Sequence, residues 1–302
     1  MKRTIQSVEG KILRNLMADI TSTHVIGKKI KSGEYRKHPI EPVWKCPRRF
    51  QVEKIKLENF EMELLESVNP KRNLIVLQLH GGGYIGPMKN VYRTFSVMYS
   101  NASEGAGVLT IDYRVAPENP YPAALEDACE AYQWLLENGY TGEQIVIAGD
   151  SAGGGLALAL CLYLRDHQIT PPRGIITMSA WADLTCEGDS YTDNYEIDPL
   201  FGNTRDSMLF DSDYIGDNDA SDPYISPIFG EYHDFPPTLM QVGSYEMLLS
   251  DTLEVARKIK EKNGKIRLSV YEGMFHVFQM TKNLLPESRS AWQEVGQFFK
   301  LI

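Results

Sequence analysis

No stretch of the 302-residue chain holds about 18 consecutive apolar residues, so no membrane-spanning helix and no membrane insertion are expected. No secretory leader is expected either. Lys2 and Arg3 open the chain, but Glu9, Lys11, Arg14 and Asp19 break up any apolar segment that could follow them. Cys46, Cys129, Cys161 and Cys186 stand far apart with no CxxC pair, which fits a reducing interior, and a cytoplasmic location is expected. The six histidines are scattered and show no metal-ligand spacing, so no metal site is expected. Lys and Arg (31) are outnumbered by Asp and Glu (40), which leaves no basic footprint for nucleic acid. The local cluster "GKKIKSGEYRKH" at 27–38 reads as a solvated, flexible stretch. Internal repeats and low-complexity blocks are also absent.

What recurs is a short apolar run followed by a longer amphipathic one. "NLIVLQL" (73–79), "GVLTIDY" (107–113), "QIVIAG" (144–149), "GIITMSA" (174–180), "TLMQVG" (238–243) and "KIRLSVY" (265–271) read as strands. Several are apolar at consecutive positions, as expected of strands covered on both faces. Helical patterns lie between them, such as 121–139 with Pro122 in its first turn and Gly139 at its stop. This alternation predicts an α/β fold: a mostly parallel, doubly wound sheet with helices on both faces. The segment 50–67 alternates apolar and polar residues, and predicts an antiparallel pair at the sheet's edge.

Two segments stand outside this rhythm. Residues 1–49 contain an amphipathic helix with Ile5, Val8, Ile12, Leu16 and Ile20 on one face, expected to pack on the core as part of a cap. Residues 183–233, rich in Asp, Tyr, Phe and Gly, carry helical fragments such as 204–215 and are expected to form a second cap segment. The catalytic core is then 50–182, continued at 234–302.

Gly149-Asp150-Ser151-Ala152-Gly153 is a G-x-S-x-G pentapeptide that follows one predicted strand and opens a helix. That setting is a nucleophile elbow: the sharp turn pushes a serine hydroxyl out of the backbone, and the glycines keep the neighbouring chain clear. A serine hydroxyl needs a base, and in this arrangement the order along the chain is Ser, acid, His. Three histidines follow Ser151. His167 ends the elbow's own helix, His233 precedes a strand, and His276 follows the last strand in "VYEGMFHVFQM", where the sheet would carry it to Ser151. The acid falls after the strand at 238–243. Glu246 is favoured; Asp251 is the alternative, but "DTLE" at 251–254 would give it a helix-capping role with Glu254. After the strand at 73–79, "HGGGY" brings glycine amides close to a substrate oxygen. Gly81, Gly82 and Ala152 are the expected oxyanion hole, with His80 bracing the loop.

"HGGGY" (80–84), "DYRVAPENPYPAALEDA" (112–128), "GDSAGGGLA" (149–157) and "FHVF" (275–278) together resemble the hormone-sensitive-lipase-like branch of the α/β-hydrolases, more narrowly its bacterial esterases and acetyl-hydrolases. The resemblance runs from about residue 72 to the C-terminus. It implies an α/β-hydrolase fold with a helical cap and hydrolysis of short-chain (acetyl to about hexanoyl) carboxylic esters, with no metal and no organic cofactor. It also implies bracing roles for Asp112 and Arg114. The family often carries Asp where Glu246 stands. Sugar deacetylation and lactone or amide hydrolysis would use the same triad, and receptor relatives on this fold lack the histidine. Tyr84, Tyr191, Phe201 and Phe210 are candidate pocket residues, although core packing accounts for each as well. An open edge near the last strand would permit a homodimer.

Overall fold

The computed structural model describes residues 1–4, 6–20, 32–34, 37, 41–203, 205 and 207–302. Ile5, the side chain of Ile20 and most of the basic stretch 27–38 lie outside these residues. Among the described residues nine strands form one sheet: β1 (Lys2–Thr4), β2 (Phe50–Lys56), β3 (Glu61–Ser67), β4 (Ile75–Leu79), β5 (Gly107–Asp112), β6 (Ile145–Asp150), β7 (Gly174–Met178), β8 (Thr238–Gly243) and β9 (Ile266–Tyr271). Their spatial order is β1-β9-β8-β7-β6-β4-β5-β3-β2. Only β3 runs against the rest, so the antiparallel element expected at 50–67 forms the β2 end of the sheet.

Helices α2 (Asn90–Ala102), α3 (Ala123–Glu137), α4 (Ala152–Asp166), α6 (Leu249–Glu261) and α7 (Pro286–Leu301) cover the sheet; α5 (Ser190–Asp193) is a single turn. Side-chain alternation along the strands divides the core. Leu77, Leu79, Leu109, Ile147, Ile175 and Met240 pack with α3, α4 and α6, while Val76, Val108, Val146, Ile176 and Leu239 pack with α2 and α7. β4, β6, β7 and β8 are buried throughout, which is why each is apolar at consecutive positions, with Gln78, Thr177 and Gln241 the buried polar exceptions inside them. Each such aliphatic side chain contributes about 1.5–3 kcal/mol on burial.

β4 lies between β5 and β6, so the chain leaves β4 outward to β5 and then crosses back to β6. Such a reversal opens a crevice at the carboxyl ends of the two central strands. The glycine run at 81–83 follows β4 and Ser151 follows β6, so topology alone carries both segments to that crevice.

Three expectations are corrected. The first concerns α1 (Val8–Ile20): its broad apolar stripe faces outward, with Val8 73%, Ile12 63% and Leu16 49% exposed. The narrower face packs inward instead, Leu13 and Met17 resting on Tyr271, Met274, Phe275, Phe278 and Leu285. Polar fasteners set this rotation. Ser7 Oγ donates to Glu287 Oε2 at 2.9 Å, and the Arg14 guanidinium lies 4.1 Å over the Tyr245 ring. Gly10 lets the helix approach, since a Cβ there would sit 2.5 Å from Met274 Cε. The second correction is at 204–215, where the described residues form turns rather than helix. Their backbone is bonded across the fold, as when Tyr121 N donates to Tyr214 O at 2.8 Å. The third is the outer edge of β9, expected to be open: β1 pairs with its Ser269–Tyr271 half and becomes the end strand of the sheet. No helix among the described residues is long and apolar enough to cross a membrane.

Candidate active site

Ser151 sits where β6 ends and α4 begins, at φ 55° and ψ −125°. This is a region that non-glycine residues occupy at a cost of about 1–3 kcal/mol. The surroundings enforce it. Ser151 N donates to Met178 O at 2.9 Å, and Ser151 O accepts from Gly154 N (3.0 Å), Gly155 N (3.1 Å) and Trp181 N (2.9 Å). The flanking glycines are demanded by space: a Cβ on Gly149 would lie 2.1 Å from Gly153 O, and one on Gly153 would lie 2.1 Å from Leu79 O.

Ser151 Oγ lies 2.8 Å from His276 Nε2, and His276 Nδ1 lies 3.0 Å from Glu246 Oε2. With the proton on Nδ1, the imidazole donates to the carboxylate and accepts from the hydroxyl. Glu246 is fully buried, and its other oxygen accepts from Ser179 Oγ at 2.8 Å and from the Gly243 amide. Ser179 also accepts from Val277 N at 3.0 Å, so one hydroxyl joins the acid to the histidine's own loop. The sequence reading missed Ser179. Its only signal was a small polar residue at the end of an apolar strand.

Asp251 is placed elsewhere. It lies inside the first turn of α6, whose cap is Leu248, so the expected capping box does not form. Its Oδ2 accepts from Ala182 N and Asp183 N, both at 2.9 Å, and pins the chain leaving β7. Burial pushes this carboxyl well up, and the charge of Asp183 adds to the rise. Glu254 pairs with Arg257 rather than reaching back.

A cavity of about 390 Å³ opens over Ser151 and His276. Phe201 lines it, 4.9 Å edge-on to the His276 ring, and so do Met17 from α1 and Leu200 and Met208 from the 183–233 segment. Tyr84, Tyr191 and Phe210 do not. Tyr84 is buried flat against Tyr214 at 3.8 Å. The Tyr191 hydroxyl lies 3.0 Å from Asp183 O and 3.2 Å from Asp251 Oδ2. Phe210 lies under the Arg205 guanidinium at 4.3 Å. Met17, Met208, Phe275 and Met280 were not legible as lining residues, because nothing in their local pattern marks them out from core.

Gly82 (φ 127°) and Gly83 (φ 65°) line the cavity. Gly81 lies behind them, where a Cβ would meet Asp150 Oδ2 at 2.4 Å. Ala152 is the buried first residue of α4. His80 is buried, stacked on Tyr113 at 4.1 Å, with Nδ1 2.7 Å from Gly81 O. Asp112 accepts from Met88 N at 2.9 Å, and Arg114 grips Asp127 at 2.7 Å. Asp150 is buried beside the nucleophile. Desolvation raises its pKa to about 7, against the lowering pull of His276 and the Gly81 amide. Among the described residues no group of three or more His, Cys, Asp or Glu side chains could hold a metal ion.

A family profile described as alpha/beta hydrolase fold matches residues 76–280. The chain is 37% identical over 237 residues to an acetyl-hydrolase of Streptomyces hygroscopicus, covering 78% of this chain and 79% of that one. A crystal structure of EstE5 soaked with p-nitrophenyl butyrate superposes with a TM-score of 0.85 at 33% identity over 98% of both chains. An esterase from the bacterial hormone-sensitive lipase family does so at 0.83 and 29% identity, over 98% of this chain and 99% of that one. The chain therefore belongs to the α/β-hydrolases, in their hormone-sensitive-lipase-like branch.

Proposed function

We propose that this protein is a serine carboxylester hydrolase acting on short-chain acyl esters, acetyl to about hexanoyl. The observation that carries this reading is the relay Ser151 Oγ–His276 Nε2 (2.8 Å) and His276 Nδ1–Glu246 Oε2 (3.0 Å) beneath a cavity lined largely by apolar side chains. Ser151 attacks the ester carbonyl as His276 takes its proton, and Glu246 stabilises the imidazolium that forms. The amides of Gly81, Gly82 and Ala152 receive the oxyanion, one such donor contributing on the order of 3 kcal/mol to the transition state. The alcohol leaves with the proton from His276. Water, activated by the same imidazole, then attacks the acyl-serine and releases the acid. In this reading α1 and residues 183–233 act as the cap over a core formed by 50–182 and 234–302, while Lys2–Thr4 add a strand to the core's sheet.

The names of the relatives support the substrate class: one is an acetyl-hydrolase, and a crystal of another was soaked with p-nitrophenyl butyrate. The deciding experiment is turnover of p-nitrophenyl acetate by the wild type and by Ser151→Ala. The wild type is expected to exceed background by orders of magnitude and the variant to match background; equal rates for both would overturn the reading. A panel of acyl lengths, acetylated sugars, lactones and amides fixes the class of substrate.

A further inference from the structure

The role assigned here presupposes the hydrolase reading above and concerns what holds the acid in place. Glu246 lies in the tight turn between β8 and α6, and that turn is gripped from across the crevice by the 183–233 segment. Asn194, directly after α5 and only 8% exposed, donates through Nδ2 to Glu246 O at 2.7 Å and to Ser244 O at 3.1 Å. Both hydrogens of one amide group are thus spent on the two carbonyls that bracket the turn. Four residues on, Asp198 is 3% exposed and accepts from Met247 N at 2.8 Å, the residue that follows the acid. Its second oxygen accepts from Leu200 N (2.8 Å) and Phe201 N (3.0 Å), two residues that line the cavity.

We infer that Asn194 and Asp198 are positioning residues: they make the cap segment set the Glu246 carboxylate against His276 Nδ1, so that this segment is part of the proton relay's support as well as its roof. Neither residue touches the reacting atoms. Their effect passes through Glu246 on one side and through Phe201, whose ring lies against His276, on the other.

A fastener that only stabilises the fold and a residue that positions the acid differ in one measurable respect. If the carboxylate withdraws from Nδ1, the imidazolium that forms in the transition state loses stabilisation, so kcat per folded molecule falls while KM is left nearly unchanged. A fastener that only stabilises the fold lowers the melting midpoint and leaves kcat per folded molecule where it was.

With p-nitrophenyl acetate, Asn194→Ala is expected to lower kcat about 10- to 100-fold with KM within about twofold. Asn194→Gln, which keeps the donors but displaces them by one methylene, is expected to do the same and serves if the alanine variant does not fold. An unchanged kcat per folded molecule, even in a variant that melts earlier, would overturn the inference. Absence of Ser151-dependent turnover in the unsubstituted protein would instead sink the hydrolase reading.

Discussion

Glu246 Oε2 meets His276 Nδ1 at 3.0 Å, although thirty residues and the whole of α6 and β9 separate them along the chain. Asp251, five residues beyond Glu246, faces away toward the amides of Ala182 and Asp183. On the hydrolase reading proposed above, Glu246 serves the chemistry and Asp251 the structure. Glu246→Gln is expected to lower kcat by up to about 10⁴-fold with little effect on folding. Asp251→Ala leaves two buried amides without an acceptor and is expected to cost on the order of 1–3 kcal/mol for each. Its kcat per folded molecule should stay within a few-fold of wild type. Paired steady-state kinetics and urea melts check both, and a larger kcat loss for Asp251→Ala would reverse the assignment.

The backbone at Ser151 carries a conformation suited to glycine, with φ 55° and ψ −125°. Glycine relieves it and alanine does not. Ser151→Gly is expected to be more stable than Ser151→Ala by about 1 kcal/mol, both being inactive. Equal melting midpoints in urea would show that the turn stores no strain.

The pKa of Asp150 is raised from 3.8 to about 7, chiefly by desolvation. A buried acid shifted upward holds its proton in the folded state at pH values where the unfolded chain has released it. Its contribution to stability is then present below the unfolded pKa and falls as pH rises from about 4 to about 7. Asp251 and Asp198 are shifted in the same direction by burial. Asp150→Asn removes its share, so the difference in unfolding free energy between pH 5 and pH 8 should be smaller for the variant. An identical pH dependence would contradict the shift.

The rotation of α1 gives a contrast within one turn of helix. Ile12 is 63% exposed, whereas Leu13 packs against the Phe275 and Phe278 cluster. Ile12→Lys is expected to stay within about 0.5 kcal/mol of wild type, and Leu13→Lys to lose about 1–2 kcal/mol. Thermal or urea melts of the two variants read the difference directly.

These results also show which parts of the molecule were legible in the sequence. The central strands were, because a strand covered on both faces must be apolar at consecutive positions, and "IVLQL" and "IVIAG" are. Strand β1 was not: Lys2, Arg3 and Thr4 carry no hydrophobic signal, and only pairing with β9 makes them a strand. Ser151 was legible because a turn so tight needs Gly149 and Gly153, and His276 because chain order left it one place to go. Asn194, Asp198 and Ser179 were hidden, since their bonds join positions about fifty or more residues apart and follow no period. The rotation of α1 was misread for a related reason. Its wider apolar stripe was visible, but the ties through Ser7 and Arg14 that select the narrower face were not.

The pairing of Lys2–Thr4 with Ser269–Tyr271 has a consequence for handling the protein. Backbone groups left bare on a lateral strand are templates for neighbouring molecules, and here a three-residue ribbon from the opposite end of the polypeptide occupies them. A preparation trimmed at its start would lay bare Ser269–Tyr271 too, so the six residues of β9 rather than the three of β1 would end the sheet and offer a longer template.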